Sequence, residues 1–392
     1  MTTRTSQFRA TSAALGRADD PAGLLDHLGA DGCAFIRPDG QGFVTSGVAA
    51  RLDPHDAAAA VAAIGGGAIA VGALPFTGGG SLAIPARIVR RAFDGTLRLT
   101  ELGPADRLEV APRPTTRVGR VPRRFAVEAR QDLATWDATV AAALGAIDDG
   151  TLRKVVIARE VQVDADTPFE VAVVLARLLA TQPGCYVYAD GGFVGASPEL
   201  LVERNGSVAR SRPMAGTAAR RASVDDDDRA VAELLESRKD DVEHALVVEA
   251  VRAALAEHCD TIEVSEPVAE RFATVSHLTT TVTGRVVNGA GALTLALALH
   301  PTPAVGGSPR ARALRAIDAF EPFDRGQYAG PVGWIDEHGD GEWAVALRCA
   351  TLDGSHARLL AGAGIVDGSD PDAEWAETQA KLEPMLRALV RP

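Results

Sequence analysis

Three ionisable side chains near the C-terminus stand at helical spacing. In residues 359–382, LLAGAGIVDGSDPDAEWAETQAKL, an apolar run meets a glycine-rich bend, then a Pro-Asp start, then a segment carrying Glu374, Glu377 and Lys381. Positions i, i+3 and i+7 share one face of a helix. Two carboxylates and an amine are therefore aimed together at whatever the glycine bend leaves open. Carboxylates one turn apart suit a hard cation such as Mg²⁺, which takes oxygen ligands and keeps several waters. A solvated helix face with an i,i+4 Glu377–Lys381 pair has the same spacing. Taken alone the spacing favours that surface pair, which is routine.

Further candidates lie upstream. Lys154 opens the strand-like KVVIARE, where alternation puts it on one face with Val156 and Ala158. Burial there would lower a lysine's pKa, and a neutral lysine is a general base; an edge-strand gatekeeper is the plainer reading. Glu199 ends an apolar strand in GASPEL, where Pro198 interrupts the ladder. A carboxyl above an apolar core can have a raised pKa and act as a general acid, and an exposed turn glutamate fits equally well. In LLESRKDDVEHAL, Glu236 and Glu243 are seven apart and share a helix face. Glu243 is thus a third candidate oxygen ligand, although so charged a helix reads first as a solvated face. Arg348 sits in WAVALRCA, where alternation groups it with Ala344, Ala346 and Ala350. If buried it needs a carboxylate, from a substrate or from the protein. The segments 213–217 (PMAGT) and 300–307 (HPTPAVGG) read as small-residue bends that admit a ligand close to the backbone. His277, in SHLTTTVTG, reads most simply as a hydrogen-bonded core histidine.

The elements that must position these groups follow from pattern. The chain has 392 residues, 46% of them hydrophobic, enough for one large or two ordinary domains. A net charge of −12 argues against nucleic acid or an anionic membrane as partner. The four cysteines, Cys33, Cys185, Cys259 and Cys349, show no CxxC spacing and fit free thiols in a reducing cytoplasm. No apolar run reaches membrane-spanning length, and the first twenty residues, without a signal-peptide core, read as a frayed terminus. Residues 53–64 read as a helix ended by glycines, and 68–74 and 81–89 as strands, the second interrupted by Pro85. Residues 115–124, with four Arg and one Pro, read as a connector. Helical spacing recurs from Leu133 to Ile147, in 169–179 and in one long helix over 225–258. Strands are expected at 154–163, 186–189 and 193–196, in a hairpin about Asn205–Gly206, and in a meander of 332–336, 342–352 and 357–366. Hairpin connections imply antiparallel sheets with helices on their outer faces.

Taken in order, the blocks KVVIARE, GASPELL, RPMAGTAAR, SRKDDVEHAL, SHLTTTVTG, LHPTPAVGGSP, EPFDRGQYAGPVGW, GEWAVALRCATL and the C-terminal stretch resemble the chorismate-utilising enzyme family, nearest its isochorismate-forming branch. They run from about residue 151 to 386. The resemblance implies an α+β fold of two packed antiparallel sheets flanked by helices. Residues 1–122 would be its variable N-terminal part and 123–392 the chorismate-binding core. It implies a Mg²⁺-dependent isomerase that adds water at C2 of chorismate and releases the C4 hydroxyl. Lys154 would be the base and Glu199 the acid. Glu243 and Glu377 would hold the metal, with Glu374 beside them. Gly216, Thr217, His277, Arg348, Gly362 and Lys381 would contact substrate. Ala215 departs from the lysine of aminodeoxychorismate synthases, while Thr217 is shared with anthranilate synthases. With water as nucleophile no glutaminase subunit is required, and a monomer is expected. Salicylate synthase, which goes on to expel pyruvate, is the alternative. A non-catalytic carboxylate-binding module is a third reading, against which the complete Lys154, Glu199 and Glu377 set argues.

Overall fold

The computed structural model describes residues 8–104 and 121–391. Short-range signals account for many elements. The helix Pro54–Ile64 starts at Asp53, whose carboxylate accepts from the His55 and Asp56 amides, and stops at Gly65 with φ 64°, a conformation that favours glycine. Leu133–Asp148 buries Trp136, Val140 and Ala143 along one stripe. Asn205–Gly206 turns the strand Leu200–Asn205 back into Val208–Arg212. The C-terminal helix Pro371–Val390 is capped by Asp370, which accepts from the Ala373 amide, a contact worth about 1 kcal/mol. The same helix buries Leu382, Met385 and Leu389. Each contributes roughly 1.5–3 kcal/mol, so packing rather than propensity holds it in place.

Among the described residues the strands pair antiparallel into a nineteen-stranded hydrogen-bonded network and a separate three-stranded sheet of Met214–Ala219, Val275–Thr279 and Val268–Arg271. The fold is α+β, as expected. The strand Lys154–Ala165 is central to the site. It runs beside His356–Ile365, with Gly364 opposite Val156 and Gly362 opposite Ala158, and also pairs with Phe125–Ala129 and Gly307–Ser308. Its first half feeds one apolar cluster through Val155 and Ile157, its second half another through Val161 and Val163. The helix Arg238–Ala256 packs on Met214–Ala219, and the C-terminal helix on His356–Ile365.

Several expectations change. The long helix over 225–258 is two helices, Val224–Glu236 and Arg238–Ala256, divided at Ser237, whose hydroxyl caps the second by accepting from the Asp240 amide. Glu236 and Glu243 therefore share no helix face. The strand at 342–352 is also two, Gly341–Val345 and Cys349–Asp353. Arg348 lies in the break with φ 48°, so the alternation that grouped it with alanines does not apply. Pro85 does not interrupt its strand, which runs from Leu82 to Arg91; the irregularity falls instead on the partner, between Val48 and Ala50. The bend at 213–217 is largely strand, with a bulge at Gly216, φ 76°. The N-terminal segment is ordered as the strand Phe8–Arg17, paired with Thr96–Pro104; its first seven residues lie outside the described ones, as does most of the expected connector, 115–120 of 115–124.

Candidate active site

One pocket opens where the Lys154 strand, the bend after Phe193–Ser197, the bulged strand and the C-terminal helix meet. Glu199, Glu243, Glu377 and Lys381 stand on its wall. Gly216, Thr217, His277, Arg348 and Gly362 line it as well. Nine expected site residues thus converge from segments spread along half the chain. Lys154 and Glu374 lie off the wall, Lys154 touching it through Glu243 and Glu374 bonded to Lys239 and Ser369 behind it.

Three carboxylates and three lysines pair across the C-terminal side. Lys154 Nζ lies 2.6 Å from Glu243 Oε1, Lys381 Nζ 2.6 Å from Glu377 Oε1, and Lys239 Nζ 3.1 Å from Glu374 Oε1. Lys154 is 1% exposed and meets the pocket through Glu243. Burial alone would raise the Glu243 carboxyl, but the Lys154 ammonium, with Lys381 and Lys239, outweighs it and holds the group below its usual range. Gly364 makes the Lys154–Glu243 contact feasible. A Cβ there would fall 2.7 Å from Glu243 Oε1 and 3.0 Å from Lys154 Cε. Lys381 also donates to the Gly362 carbonyl at 3.0 Å, which fixes its reach into the pocket.

Glu199 is 4% exposed, in the bend between two strands. Its backbone carbonyl accepts from the Val345 amide at 3.1 Å, which anchors the bend. Burial pushes the carboxyl up to about 8, even with the ammonium groups of Lys154 and Lys381 pulling it down. It is therefore mostly protonated at neutral pH and able to donate.

Arg348 is buried, and among the described residues it has no carboxylate partner. Its Nη2 donates to His277 Nε2 at 3.2 Å, its Nη1 faces Cys185 Sγ at 3.8 Å, and the Phe272 ring lies 5.6 Å from its guanidinium carbon. Burial, then Arg348 and Lys381, pulls His277 down to about 3, so the ring is neutral. Arginine only donates, so Nε2 is the acceptor and the ring proton sits on Nδ1. From there it donates to Thr217 Oγ1 at 3.1 Å, with the Gly216 carbonyl at 3.3 Å. A guanidinium oriented by a neutral histidine, in a left-handed backbone that costs on the order of 1–3 kcal/mol, is a site prepared for an outside anion. Among the described residues, the protein carboxylate that would equally have satisfied Arg348 is not there.

Mg²⁺ takes oxygen donors, which the carboxylates of this pocket could offer. Among the described residues no three His, Cys, Asp or Glu side chains form a ready-made metal cage. Glu243 and Glu377 do face the pocket. Glu374 lies behind them, accepting from Ser369 Oγ at 2.8 Å, and its carboxyl is raised by burial and then by the neighbouring Glu377 charge. A cation would relieve that repulsion. Mg²⁺ commonly binds through one or two carboxylates plus waters and substrate oxygens, so Glu243 and Glu377 suffice in chemistry and number.

Two supporting groups escaped the sequence reading. Tyr328, one of three tyrosines in the chain, lines the pocket; its only local signal was a lone phenol within the GQYAG bend. Arg325 is buried, paired with Glu321 at 2.6 Å, and donates to the Val305 and Val156 carbonyls at 2.8 and 2.7 Å. Glu321 in turn accepts from the Ala158 amide at 2.7 Å. This pair ties the Lys154 strand to the bend at 300–307, through contacts no linear pattern encodes.

The chorismate binding enzyme family matches residues 107–390. A protein of Mycobacterium tuberculosis is 40% identical over 372 residues, covering 88% of this chain and 93% of its own length. Isochorismate synthase EntC of Escherichia coli is 42% identical over 258 residues, 64% of this chain and 66% of that one. Among solved structures, the menaquinone-specific isochorismate synthase MenF of Escherichia coli superposes with a TM-score of 0.84 at 26% identity, covering 97% of this chain and 94% of that one. With its family match spanning well over half the chain, this protein belongs to the chorismate-utilising enzyme family.

Proposed function

We propose that this chain is an isochorismate synthase, which isomerises chorismate by adding water at C2 and releasing the C4 hydroxyl. The observation that carries the reading is Glu199, a carboxyl lifted to about 8 by burial on the wall that also holds Arg348. Loss of hydroxide from a ring needs a proton at the leaving oxygen, and a neutral buried acid supplies it. The relatives named as isochorismate synthases support the same assignment.

Chorismate is a dianion. Arg348 takes one carboxylate in bidentate fashion, and Lys381, steadied by the Gly362 carbonyl, attracts the other. His277 holds the guanidinium in orientation. Lys154 is the base for the incoming water once its ammonium has passed a proton to the Glu243 carboxylate 2.6 Å away, which leaves a neutral amine to take the proton that the water gives up. Glu199 gives its proton to the departing C4 hydroxyl. Gly216 and Thr217 let the backbone approach the ring. Glu243 and Glu377 would hold Mg²⁺, which when bound offsets substrate charge.

Incubating purified protein with chorismate and Mg²⁺ and separating the products tests the reading. Isochorismate alone is expected. Salicylate with pyruvate would assign the alternative lyase step, and absence of turnover would refute both. Lys154→Ala is expected to lower kcat by about 10²–10⁴-fold, the range for a general base; near-full activity would remove Lys154 from that role. Glu377→Gln is expected to raise the Mg²⁺ concentration for half-maximal rate by at least about tenfold. An unchanged metal titration would take Glu377 out of the metal shell.

A further inference from the structure

Arg159 is 1% exposed on the same strand as Lys154, five residues on and so on the opposite face. Among the described residues it has no carboxylate partner, and its Nη2 makes no hydrogen bond. Burial draws it down to about 10. Such a group is costly to bury. A methionine or leucine would fill the space without that cost, so stability does not explain the arginine.

Its side-chain hydrogen bond and its ring contact both go to the C-terminal helix. Nε donates to Thr378 Oγ1 at 2.6 Å, and the Thr378 hydroxyl donates to the Trp375 carbonyl at 2.7 Å. The guanidinium lies 3.9 Å from the centre of the Trp375 ring. Trp375 packs edge-on against Trp136, 5.9 Å away, and Trp136 Nε1 donates to the Pro371 carbonyl at 3.0 Å. The helix is thus gripped at Pro371, Trp375 and Thr378. Glu374 and Glu377 each precede a gripped residue by one, and Lys381 follows Thr378 by three. With 3.6 residues per turn, these groups are swung onto an adjoining face of the helix, and Glu377 and Lys381 reach the pocket.

We propose that Arg159 is a positioning residue that sets the rotation and depth of the C-terminal helix, and so places Glu377 and Lys381 relative to Lys154 on its own strand. The inference rests on the reading of the pocket given above. A planar fork that donates and stacks at once is what the task requires, and lysine cannot reproduce it. A misplacement of about 1 Å at such a site is enough for a loss of about 10²-fold.

The test compares wild type with Arg159→Met, Arg159→Lys, Thr378→Val and the Arg159→Met/Thr378→Val double variant. Melting temperature, kcat and KM are measured for each. Chorismate affinity is also measured by calorimetry with Mg²⁺ in a Glu199→Gln background, where turnover is removed. For Arg159→Met we expect an unchanged or higher melting temperature, with chorismate KM and dissociation constant raised at least about tenfold. Arg159→Lys should not restore them. Thr378→Val, which keeps the volume and offers a fallback if Arg159→Met does not fold, should shift both constants in the same direction by about threefold or more. The double variant should be no worse than Arg159→Met, as expected of two residues acting through one contact. A lower melting temperature with unchanged constants would reduce Arg159 to a structural role and overturn the proposal. Full rescue by lysine would overturn it in favour of bare charge. If wild type makes no isochorismate, the function reading fails, while the calorimetric comparison still decides on Arg159.

Discussion

Glu199→Gln is expected to remove nearly all isochorismate formation while raising thermal stability. Glutamine keeps the shape and can donate a hydrogen bond but cannot give up a proton, so kcat should fall by about 10²–10⁴-fold. The stability effect has the opposite sign. The carboxyl sits at about 8 in the folded protein against an ordinary 4.5. Its contribution to stability is fully present below the unfolded value and is lost as pH rises towards the folded value. At pH 7 the unfolded chain gains free energy by ionising this group and the folded chain does not, a penalty on the order of 3 kcal/mol. The amide carries no such penalty. Parallel thermal melts at pH 7 and pH 5 should show the variant's advantage shrinking at the lower pH. In wild type, kcat/KM should decline as pH rises through about 8. A variant that melts lower than wild type, or a flat alkaline limb, would contradict the assignment of a buried neutral acid.

Arg348→Met should act on binding. Its guanidinium has His277 and Cys185 as neighbours and no protein carboxylate among the described residues. A substrate carboxylate would therefore gain two charge-assisted hydrogen bonds in a dry site. At about 1.5–3 kcal/mol each, their loss should raise KM by at least about 10²-fold. Arg348→Lys should recover little, since a point charge cannot make the fork. Methionine removes an unpaired buried cation and leaves His277 Nε2 without one donor, so the two changes in stability oppose each other. The melting temperature should move by only a few degrees. A large fall in stability with unchanged KM would mean that Arg348 serves the fold and not the ligand.

Elements set by near neighbours were legible in the sequence. Asp53 and Gly65 mark the two ends of a helix, Asn205–Gly206 marks a hairpin, and Pro371–Asp372 marks the start of the C-terminal helix. Each depends on hydrogen bonds or dihedral preferences within a few residues. The helix break at Ser237 was hidden because serine, a good cap, is also tolerated within a helix. The break at Arg348 was hidden because nothing in WAVALRCA forbids a continuous strand. The left-handed turn there is imposed by what surrounds it, with the Ala196 amide donating to the Arg348 carbonyl at 3.2 Å.

By itself the sequence determined the kinds of group available and their order: a lysine at the start of a strand, a glutamate after a proline, an arginine among alanines, and Glu374, Glu377 and Lys381 at helical spacing. On that spacing Lys381 read as the surface partner of Glu377, and the 2.6 Å pair is indeed made. Only the tertiary structure decided that this pair lines a pocket, that Lys154 sits behind Glu243, and that Glu374 is held by Lys239 off the wall. It also decided that burial lifts the Glu199 carboxyl and that Arg348 has no carboxylate partner among the described residues. The physical reason is range. Helix spacing is fixed by local backbone geometry, whereas desolvation and charge pairing depend on groups brought together across the chain, as Lys154 and Glu243 are from 89 residues apart.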